Sequence, residues 1–399
     1  MELVVGAPAH GGHCVARHEG QVVFVRHALP GERVIAEVTE EHKGYLRADA
    51  VEILEASPDR VPAPCPYARP DLCGGCDLQH ASPRAQLEWK TAVLREQLQR
   101  LARLGSDVSV EALPGDGFGW RTRVRYRVAA AGYAGLLKHR SNEVVPIDRC
   151  LIAHPSIQEL PVLARQWPDV DVIDVVKPSE GPAQVVSGQA VRERAAGREF
   201  ELGASAFWQV HPDAADTLAA TVVEFLRPEP HERAWDLYGG AGLFSAALGC
   251  SSVLVEASPE GAEAARRSLA DLPVTVIEST VERALGLADA RRGHAGRQPA
   301  AVGGRPRRDV RGHEALLHGQ VDIVVLDPPR TGVGARVVKM IHEARPRAVA
   351  YVACDPAAFA RDLRTFLDLG WKLGGIRAYD LFPQTHHFET VALLEAPGS

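Results

Sequence analysis

The hydrophobic pattern begins with short apolar runs, each rich in β-branched residues and each followed by a turn. These runs cover residues 2–5, 21–26, 33–39 and 45–54. Short runs of this kind with glycine turns between them predict a small closed β-barrel over residues 1–57. The pattern leaves two roles open, because such barrels bind nucleic acid in some proteins and only pack or dimerise in others.

The middle of the chain predicts one long helix between β-hairpins. Residues 82–104 carry one apolar stripe, with Ser82 as a suitable N-cap and Gly105 as a suitable end. The hairpins are predicted over residues 134–147 and 191–202, each formed by two short apolar segments around a turn. We therefore expect a central α+β domain over residues 58–204.

From residue 205 onward, strand and helix patterns alternate. The predicted helices cover residues 213–226, 243–248, 259–270 and 335–344, and the predicted strands cover residues 233–237, 252–255, 274–277, 321–326 and 348–352. This alternation predicts an α/β fold, a doubly wound Rossmann-like domain over residues 205–399 with a parallel sheet. Residues 286–320 are rich in glycine and arginine and predict a disordered insertion.

Composition narrows the class of protein. The chain is 46% hydrophobic and 24% charged, it has no apolar run long enough for a bilayer, and it begins without a signal peptide. We therefore expect a cytoplasmic protein with no membrane contact, and nothing in the sequence points to an obligatory protein partner. A formal net charge of −6 excludes a uniformly basic surface, so any contact with RNA must be local.

Alternating arginines mark one strand of the central region. Residues 120–128 place an arginine at every second position, so a strand there presents four guanidinium groups on one face. Such a face requires either the phosphates of a nucleic acid or carboxylates of the protein opposite it. The sequence leaves both partners open.

Four cysteines form a candidate metal centre. Cys65, Cys73 and Cys76 lie on a short loop loosened by glycines, which favours a metal or cluster site over a disulfide framework. Cys150 is the candidate fourth ligand, because it follows a predicted hairpin that folds back towards the loop. An iron–sulfur cluster and a structural zinc ion use the same thiolates, and the spacing does not decide between them.

A glycine-rich turn is the candidate cofactor site. The strand at 233–237 is followed by Gly239, Gly240 and Gly242 and then by a helix, so the backbone can approach a ligand closely. Glu256 ends the next strand, roughly 20 residues later, where an acidic side chain binds ribose hydroxyls. We therefore expect a nucleoside-bearing cofactor near Gly240 and Glu256.

Three later segments at strand ends carry reactive side chains, and the carboxyl ends of parallel strands gather around one crevice. Asp327 precedes two prolines and Arg330, Cys354 precedes Asp355, and Glu389 ends the stretch from Phe382. A cysteine in this position is a candidate nucleophile, and a carboxylate beside it is a candidate base.

Taken together, these motifs resemble those of the S-adenosylmethionine-dependent RNA uracil-5 methyltransferases that carry an N-terminal TRAM barrel. The resemblance covers nearly the whole chain through ordered motifs, namely Leu29-Pro30-Gly31-Glu32, the cysteine set with Asp77-Leu78-Gln79-His80, Phe207-Trp208-Gln209-Val210, Asp236-Leu237-Tyr238, Asp327-Pro328-Pro329-Arg330, Tyr351 to Pro356, and Phe382 to Glu389. It implies that Cys354 is the nucleophile and Glu389 the base. It also implies cofactor contacts by Gln209, Tyr238, Glu256 and Asp327, and a [4Fe-4S] cluster held by the four cysteines.

The activity that this resemblance implies is methylation of carbon 5 of a uridine in structured RNA. The barrel and the cluster favour 23S ribosomal RNA, and transfer RNA is the alternative substrate within the same class. A non-catalytic RNA-binding module is the alternative of a different class, against which Cys354 and Glu389 speak. An amino-methylating enzyme would carry an aromatic residue after the two prolines, where this chain has Arg330.

Overall fold

The structure is a computed structural model that describes residues 1–203, 206–287 and 319–398. Most of the predicted insertion at 286–320 lies outside the described residues, so that prediction stays untested. Within the described part of the chain, no helix is both long enough and apolar enough to cross a membrane.

The N-terminal residues form the predicted barrel. Its strands are β1 (Glu2–Val4), β2 (Pro8–Ala9), β3 (His13–His18), β4 (Gln21–Arg26), β5 (Arg33–His42) and β6 (Tyr45–Glu55), in the order β1-β5-β6-β4-β3-β2. The segment between β1 and β2 closes the barrel, because the Gly6 amide donates to the Val15 carbonyl at 2.7 Å. A Cβ at Gly6 would lie 2.8 Å from the same oxygen, so this contact requires glycine. Strand β3 was not predicted from the sequence, because its polar residues obscure the alternation of apolar and polar positions.

Helix α1 (Pro83–Gln97) starts as predicted and ends differently. Ser82 caps it, accepting a hydrogen bond from the Ala85 amide at 3.2 Å. A π-helical turn, Leu98–Ala102, then leads to Arg103, whose left-handed conformation ends the helix two residues before the predicted end at Gly105. After this turn comes the short strand β7 (Val110–Ala112).

The central region contains the predicted hairpins. Its elements are β8 (Arg123–Val128), β9 (Ala134–Leu137), β10 (Val144–Pro146), α2 (Pro155–Gln158), β11 (Val172–Val176), β12 (Gln184–Val186), β13 (Val191–Ala195) and β14 (Arg198–Leu202). One sheet has the order β10-β9-β8-β11-β12, and β13 pairs with β14 in a separate hairpin.

The C-terminal region is the predicted α/β domain. Its elements are α3 (Ala214–Leu226), β15 (Arg233–Leu237), α4 (Leu243–Leu248), β16 (Ser251–Glu256), α5 (Pro259–Ser268), β17 (Val274–Glu278), α6 (Val281–Ala284), β18 (Ile323–Leu326), α7 (Gly334–Ala344), β19 (Ala348–Ala353), α8 (Pro356–Asp368), β20 (Lys372–Asp380) and β21 (Glu389–Glu395). The sheet order is β17-β16-β15-β18-β19-β21-β20-β7, and the strands from β15 to β19 are parallel.

The strands that the sequence predicted are parallel, and beyond them the sheet continues with strands that were not predicted. Strand β21 runs antiparallel to both β19 and β20. The connection between β20 and β21 is a short loop, and parallel neighbours need a crossover of about a dozen residues or more. The loop length therefore forces an antiparallel hairpin, and this hairpin turns the start of β21 towards the carboxyl end of β19.

The three regions share contacts. Apolar side chains of the barrel, of α1 and of the α/β domain belong to one continuous buried cluster. Strand β7, which lies within the predicted central domain, pairs with β20 of the last sheet. The domain boundaries at residues 57 and 204 stay a prediction, and residue 204 lies outside the described residues.

Candidate active site

The register of the last sheet brings the predicted site residues to one edge. Leu237 of β15 pairs with Val255 of β16 on one side and with Leu326 of β18 on the other. Leu326 pairs in turn with Tyr351 of β19, and Ala353 of β19 pairs with Thr390 of β21. The residues just beyond these pairs follow one another along the sheet edge, in the order Glu256, Tyr238, Asp327, Cys354, Glu389. We call this row the catalytic edge.

The glycine turn after β15 is held against Glu256. The Gly240 amide donates to Oε2 of Glu256 at 2.9 Å, and the Ser258 amide donates to Oε1 at 2.6 Å. Gly240 has a φ of 54°, and a Cβ there would meet no atom within 4 Å, so the turn has an open face. Each carboxylate oxygen has further lone pairs, which leaves Glu256 able to accept hydroxyl groups.

Asp236 is a buried acid for which the sequence reasoning named no role. Its Oδ2 accepts hydrogen bonds from the Ser245 amide at 2.9 Å and the Ser245 hydroxyl at 2.7 Å. Its Oδ1 is buried and has no hydrogen-bond partner in the described structure. Burial, and then the charge of Glu256, raise its pKa to about 6. An acidic residue inside an apolar strand, just before the glycines, was the feature of the sequence that could have indicated a role for Asp236.

Asp327 is the third acid of this group. Burial raises the pKa of Asp327 to about 7, and the charges of Asp236 and Glu256 add to the effect. The raised pKa values of Asp236 and Asp327, beside the carboxylate of Glu256, favour a ligand that brings positive charge or hydrogen-bond donors.

Cys354 and Glu389 lie side by side at the other end of the edge. Glu389 is only 4% exposed, and burial together with Asp327 raises its pKa well above the ordinary value. Burial, Glu389 and Asp327 raise the pKa of Cys354 to about 12. Arg330 opposes both shifts. The thiolate of Cys354 therefore depends on Arg330 and on the protonation of its acidic neighbours.

Replacing Arg330 by alanine should slow alkylation of Cys354 by iodoacetamide roughly two- to fivefold at a fixed pH near 8, since an exposed charge is partly screened. Below the pKa of about 12, the thiolate fraction rises about tenfold per pH unit, so both proteins should react faster as the pH rises. Mass spectrometry of the Cys354 peptide measures the rate. Arg336→Ala removes an exposed arginine from α7 and is the control. Equal rates in the wild type and in Arg330→Ala would contradict the role of Arg330.

The loop that carries Cys354 is anchored on both sides. Asp355 caps α8, because its Oδ1 accepts a hydrogen bond from the Ala358 amide at 2.8 Å. Its Oδ2 lies 3.1 Å from Nε2 of His10, which belongs to the barrel. The barrel therefore contacts the residue next to the candidate nucleophile.

The segment before Glu389 is fixed by the central region. The Gln384 carbonyl accepts hydrogen bonds from the Asp77 and Leu78 amides, both at 3.0 Å. Nδ1 of His386 lies 2.6 Å from Oδ2 of Asp77. The buried ammonium of Lys90 donates to Oδ1 of Asp380 at 2.5 Å. Since these contacts hold both ends of the loop, they fix the position of Glu389.

Gln209 is the predicted site residue that the structure places apart. It lines a pocket of about 330 Å³ together with His154, Lys177 and Glu193 of the central region. In the described part of the chain it makes no hydrogen bond to a residue of the catalytic edge. Its role as a cofactor contact stays a prediction.

The arginine face of β8 is partly neutralised within the protein. Arg123 donates to Oε1 of Glu193 at 2.7 Å, and Arg125 makes two hydrogen bonds to Asp174 at 2.8 and 3.0 Å. Carboxylates of the protein therefore neutralise these two arginines. Such carboxylates were one of the two kinds of partner that the sequence left open.

The four predicted cysteine ligands line one pocket, with Cys150 beside the loop of Cys65, Cys73 and Cys76. The Gly75 amide donates to Sγ of Cys73 at 3.4 Å. Burial raises the pKa of Cys73 to about 11, and Cys150 and Cys65 contribute. Among the described residues, no group of three or more cysteine, histidine or acidic side chains is arranged to bind a single metal ion.

Two domain families match the chain. The TRAM domain matches residues 1–51, and the tRNA (Uracil-5-)-methyltransferase family matches residues 227–397.

Relatives match over almost the whole length. A protein of Streptomyces avermitilis named "Uncharacterized RNA methyltransferase" is 45% identical over 99% of this chain and 98% of its own. A protein of Corynebacterium efficiens with the same description is 36% identical over 98% of this chain and 94% of its own. Among solved structures, the Pyrococcus abyssi tRNA (uracil-54, C5)-methyltransferase in complex with S-adenosyl-L-homocysteine has a TM-score of 0.68, with 22% identity and 99% coverage of both chains.

The fold and the catalytic edge define a methyltransferase domain preceded by a small barrel. The chain belongs to the RNA methyltransferases that join a TRAM domain to a tRNA (uracil-5-)-methyltransferase domain. This confirms the resemblance of the sequence to that family.

Proposed function

We propose that this protein transfers a methyl group from S-adenosylmethionine to carbon 5 of a uridine in RNA. The observation that carries the proposal is the adjacency of Cys354, Asp327 and Glu389 on the catalytic edge, beside a glycine turn that holds Glu256. A nucleophile, a buried base and a nucleoside site in one row suit this reaction.

The acids near the glycine turn fit the proposed methyl donor. The unpartnered Oδ1 of Asp236 and the clustered carboxyl groups of Glu256 and Asp327 favour a ligand with positive charge and hydroxyl donors. S-Adenosylmethionine supplies a methyl group made electrophilic by its sulfonium charge. We propose that Tyr238, Gly240, Glu256 and Asp327 hold it, and that Gln209 contacts either this molecule or the uracil edge.

Cys354 acts on the uracil ring. Carbon 5 of uracil is a poor nucleophile, so addition of the Cys354 thiolate to carbon 6 is needed to form an enolate whose carbon 5 can attack the methyl group. The raised pKa of Cys354 means that this thiolate is scarce at neutral pH, even with Arg330 nearby, until the bound substrate stabilises it.

Glu389 completes the reaction as a base. After methyl transfer, the proton on carbon 5 must leave so that the bond between carbon 6 and Sγ of Cys354 can break. A buried carboxylate with a raised pKa binds that proton more strongly than an exposed one. The released Cys354 thiolate then takes this proton from Glu389, which restores the thiol and the carboxylate for the next turnover.

The target uridine must leave its stack to reach this edge. We propose 23S ribosomal RNA as the substrate, on the combination of barrel and cysteine set, and we place the enzyme in the cytoplasm with that RNA. The description of the matched family favours transfer RNA as the second candidate.

The deciding experiment uses methyl-labelled S-adenosylmethionine with unmodified 23S ribosomal RNA and, separately, unmodified transfer RNA. Digestion and chromatography identify the labelled nucleoside. We expect label in 5-methyluridine from ribosomal RNA. Label in 5-methyluridine from transfer RNA alone would support the proposed reaction and show that transfer RNA, not ribosomal RNA, is the substrate. Label in a different nucleoside would contradict the proposed reaction.

We further propose that Cys65, Cys73, Cys76 and Cys150 hold a [4Fe-4S] cluster. Their fit rests on the shared pocket, on the Gly75 amide that donates to Cys73, and on burial and neighbouring thiols, which raise the pKa values of Cys73, Cys76 and Cys150. Neighbouring thiolates repel one another. Bound iron ions would offset this repulsion, because metal ions stabilise thiolates.

Protein purified without oxygen should contain four iron and four sulfide ions per chain for a cluster of this type. Cys73→Ser should lose most of this iron, and Cys250→Ser should keep it, since Cys250 lies outside the pocket. If the protein instead contained one zinc ion per chain and no sulfide, the four cysteines would form a structural zinc site and not a cluster.

A further inference from the structure

One turn of the barrel lies beside the segments that carry Cys354 and Glu389. This turn, residues 10–12, connects β2 to β3, and we call it the barrel turn. Gly11 and Gly12 have φ angles of 93° and 80°, which lie in the left-handed region. Glycine adopts these angles without strain, so the chain can turn sharply at this point.

His10 makes the first contact of the barrel turn with these segments. Its Nε2 lies 3.1 Å from Oδ2 of Asp355, so the imidazole N–H donates to the carboxylate. The other oxygen of Asp355 accepts the hydrogen bond from Ala358 that caps α8. Burial raises the pKa of Asp355, but the hydrogen bonds from His10 and Ala358 outweigh burial and leave the pKa below its ordinary value. The bond from His10 is therefore charge-assisted, and it holds the residue that directly follows Cys354.

Gly12 makes the second contact, with the segment that leads to Glu389. Gly12 is buried, and a Cβ at this position would lie 3.1 Å from Nδ1 of His386 and 3.2 Å from Cβ of Asp77. A larger residue would crowd both side chains, so glycine allows the close approach. The 2.6 Å contact between His386 and Asp77 is thus packed directly against the barrel turn.

The barrel also holds Asp77 by charge. The buried Arg26 of β4 places Nη2 at 3.6 Å from Oδ1 of Asp77 and Nη1 at 3.9 Å from Oδ1 of Asp49 in β6. Oδ2 of Asp77 is the oxygen that contacts His386. The barrel therefore fixes the segment before Glu389 through both Arg26 and Gly12.

The sheet alone fixes Cys354 less completely. Strand β19 ends at Ala353, so Cys354 lies one residue beyond the last residue of the strand. Its position depends on the residues that follow, and Asp355 is bonded on one side to α8 and on the other to His10. Displacement of a reacting group by about 1 Å can lower a rate about a hundredfold, so this anchor affects the rate of reaction.

From these contacts we infer that His10 positions Cys354 for addition to uracil by holding Asp355, so that the barrel is part of the catalytic scaffold. His10 is a positioning residue, because it contacts Asp355 and none of the reacting groups. The inference rests on the proposed function and adds a role of the barrel in the chemical step.

Three variants of His10 separate the hydrogen bond from the bulk of the ring. The side-chain amide of glutamine reaches the position of Nε2 and can donate to Asp355, whereas the amide of asparagine reaches only the position of Nδ1. We expect His10→Ala and His10→Asn to lower kcat at saturating RNA about tenfold, with an unchanged KM for S-adenosylmethionine, and His10→Gln to restore most of the loss. His18→Ala, which removes a histidine at the other end of β3, is the control and should keep the wild-type kcat.

Filter binding of the RNA in the presence of S-adenosylhomocysteine distinguishes positioning from RNA contact. We expect the same Kd for the wild type and for all three variants of His10. A weaker Kd in His10→Ala with a normal kcat at saturating RNA would overturn the inference. Equal losses of kcat in His10→Gln and His10→Ala would also overturn it, because the donor at the position of Nε2 would then have no effect.

Hydrogen exchange tests the same positioning without RNA or methyl transfer. In His10→Ala and His10→Asn, the backbone amides of residues 354–358 should exchange about threefold faster than in the wild type, since Asp355 has lost one hydrogen bond. His10→Gln and His18→Ala should exchange as the wild type does. If the wild type transfers no methyl group to RNA, the proposed function fails, and the faster exchange still supports the positioning. Unchanged exchange in His10→Ala would overturn the inference whether or not methylation is observed.

Discussion

Replacing Cys354 by alanine is expected to reduce methyl transfer by at least about 10⁴-fold, because no other group on the catalytic edge can add to carbon 6 of uracil. Binding of S-adenosylmethionine should survive, since the acids near the glycine turn are unchanged. Transfer of labelled methyl groups to RNA and calorimetric titration with S-adenosylmethionine measure the two effects separately.

Two variants sharpen this experiment. Cys250→Ala removes a buried thiol that lies outside the catalytic edge, so it should keep its activity. Cys354→Ser should be almost as inactive as the alanine variant, because a serine hydroxyl is ionised far less readily than a thiol. Turnover within tenfold of the wild type in a folded Cys354→Ala protein would exclude the covalent mechanism.

Replacing Glu389 by glutamine is expected to trap the enzyme on its RNA. Glutamine is nearly isosteric with glutamate and places no charge in this buried position, so the fold should be kept. Glutamine cannot take the proton from carbon 5. The bond between Cys354 and the methylated uridine therefore persists after transfer, while release of product stops.

The trapped species is measured as a band of reduced mobility on a denaturing gel that carries both protein and labelled RNA. Glu395→Gln changes an exposed glutamate at the other end of β21 and should give wild-type turnover without the band. Adding Cys354→Ala to Glu389→Gln should remove the band. A Glu389→Gln enzyme that turns over at the normal rate without an adduct would assign the base to another residue.

Both experiments depend on a contact that tertiary structure creates. Cys354 and Glu389 are 35 positions apart in the sequence, and they meet because β21 returns antiparallel to β19. The parallel pattern predicted from the earlier strands would not have placed them together. The short loop after β20 decides the direction of β21, and contacts of Asp77 and Lys90 fix that loop.

The sequence predicted those helices and strands that depend on interactions between residues close together in the chain. Alternation and apolar runs predicted β15 and α4 with their observed bounds, and Ser82 marked the start of α1. The glycine turn was readable because only glycine tolerates its backbone angles and close contacts. A Cβ at Gly242, for example, would lie 2.4 Å from Cδ1 of Leu269.

The sequence by itself thus determined the barrel, the α/β domain and the family, and it named the candidate site residues, because periodicity and motifs are properties of neighbouring residues. Tertiary structure alone decided that Glu193 and Asp174 neutralise Arg123 and Arg125 of β8, that β7 joins the distant sheet, and that Glu389 lies beside Cys354. These features depend on pairings between residues far apart in the chain, whose energies come from packing, burial and register and leave no local pattern.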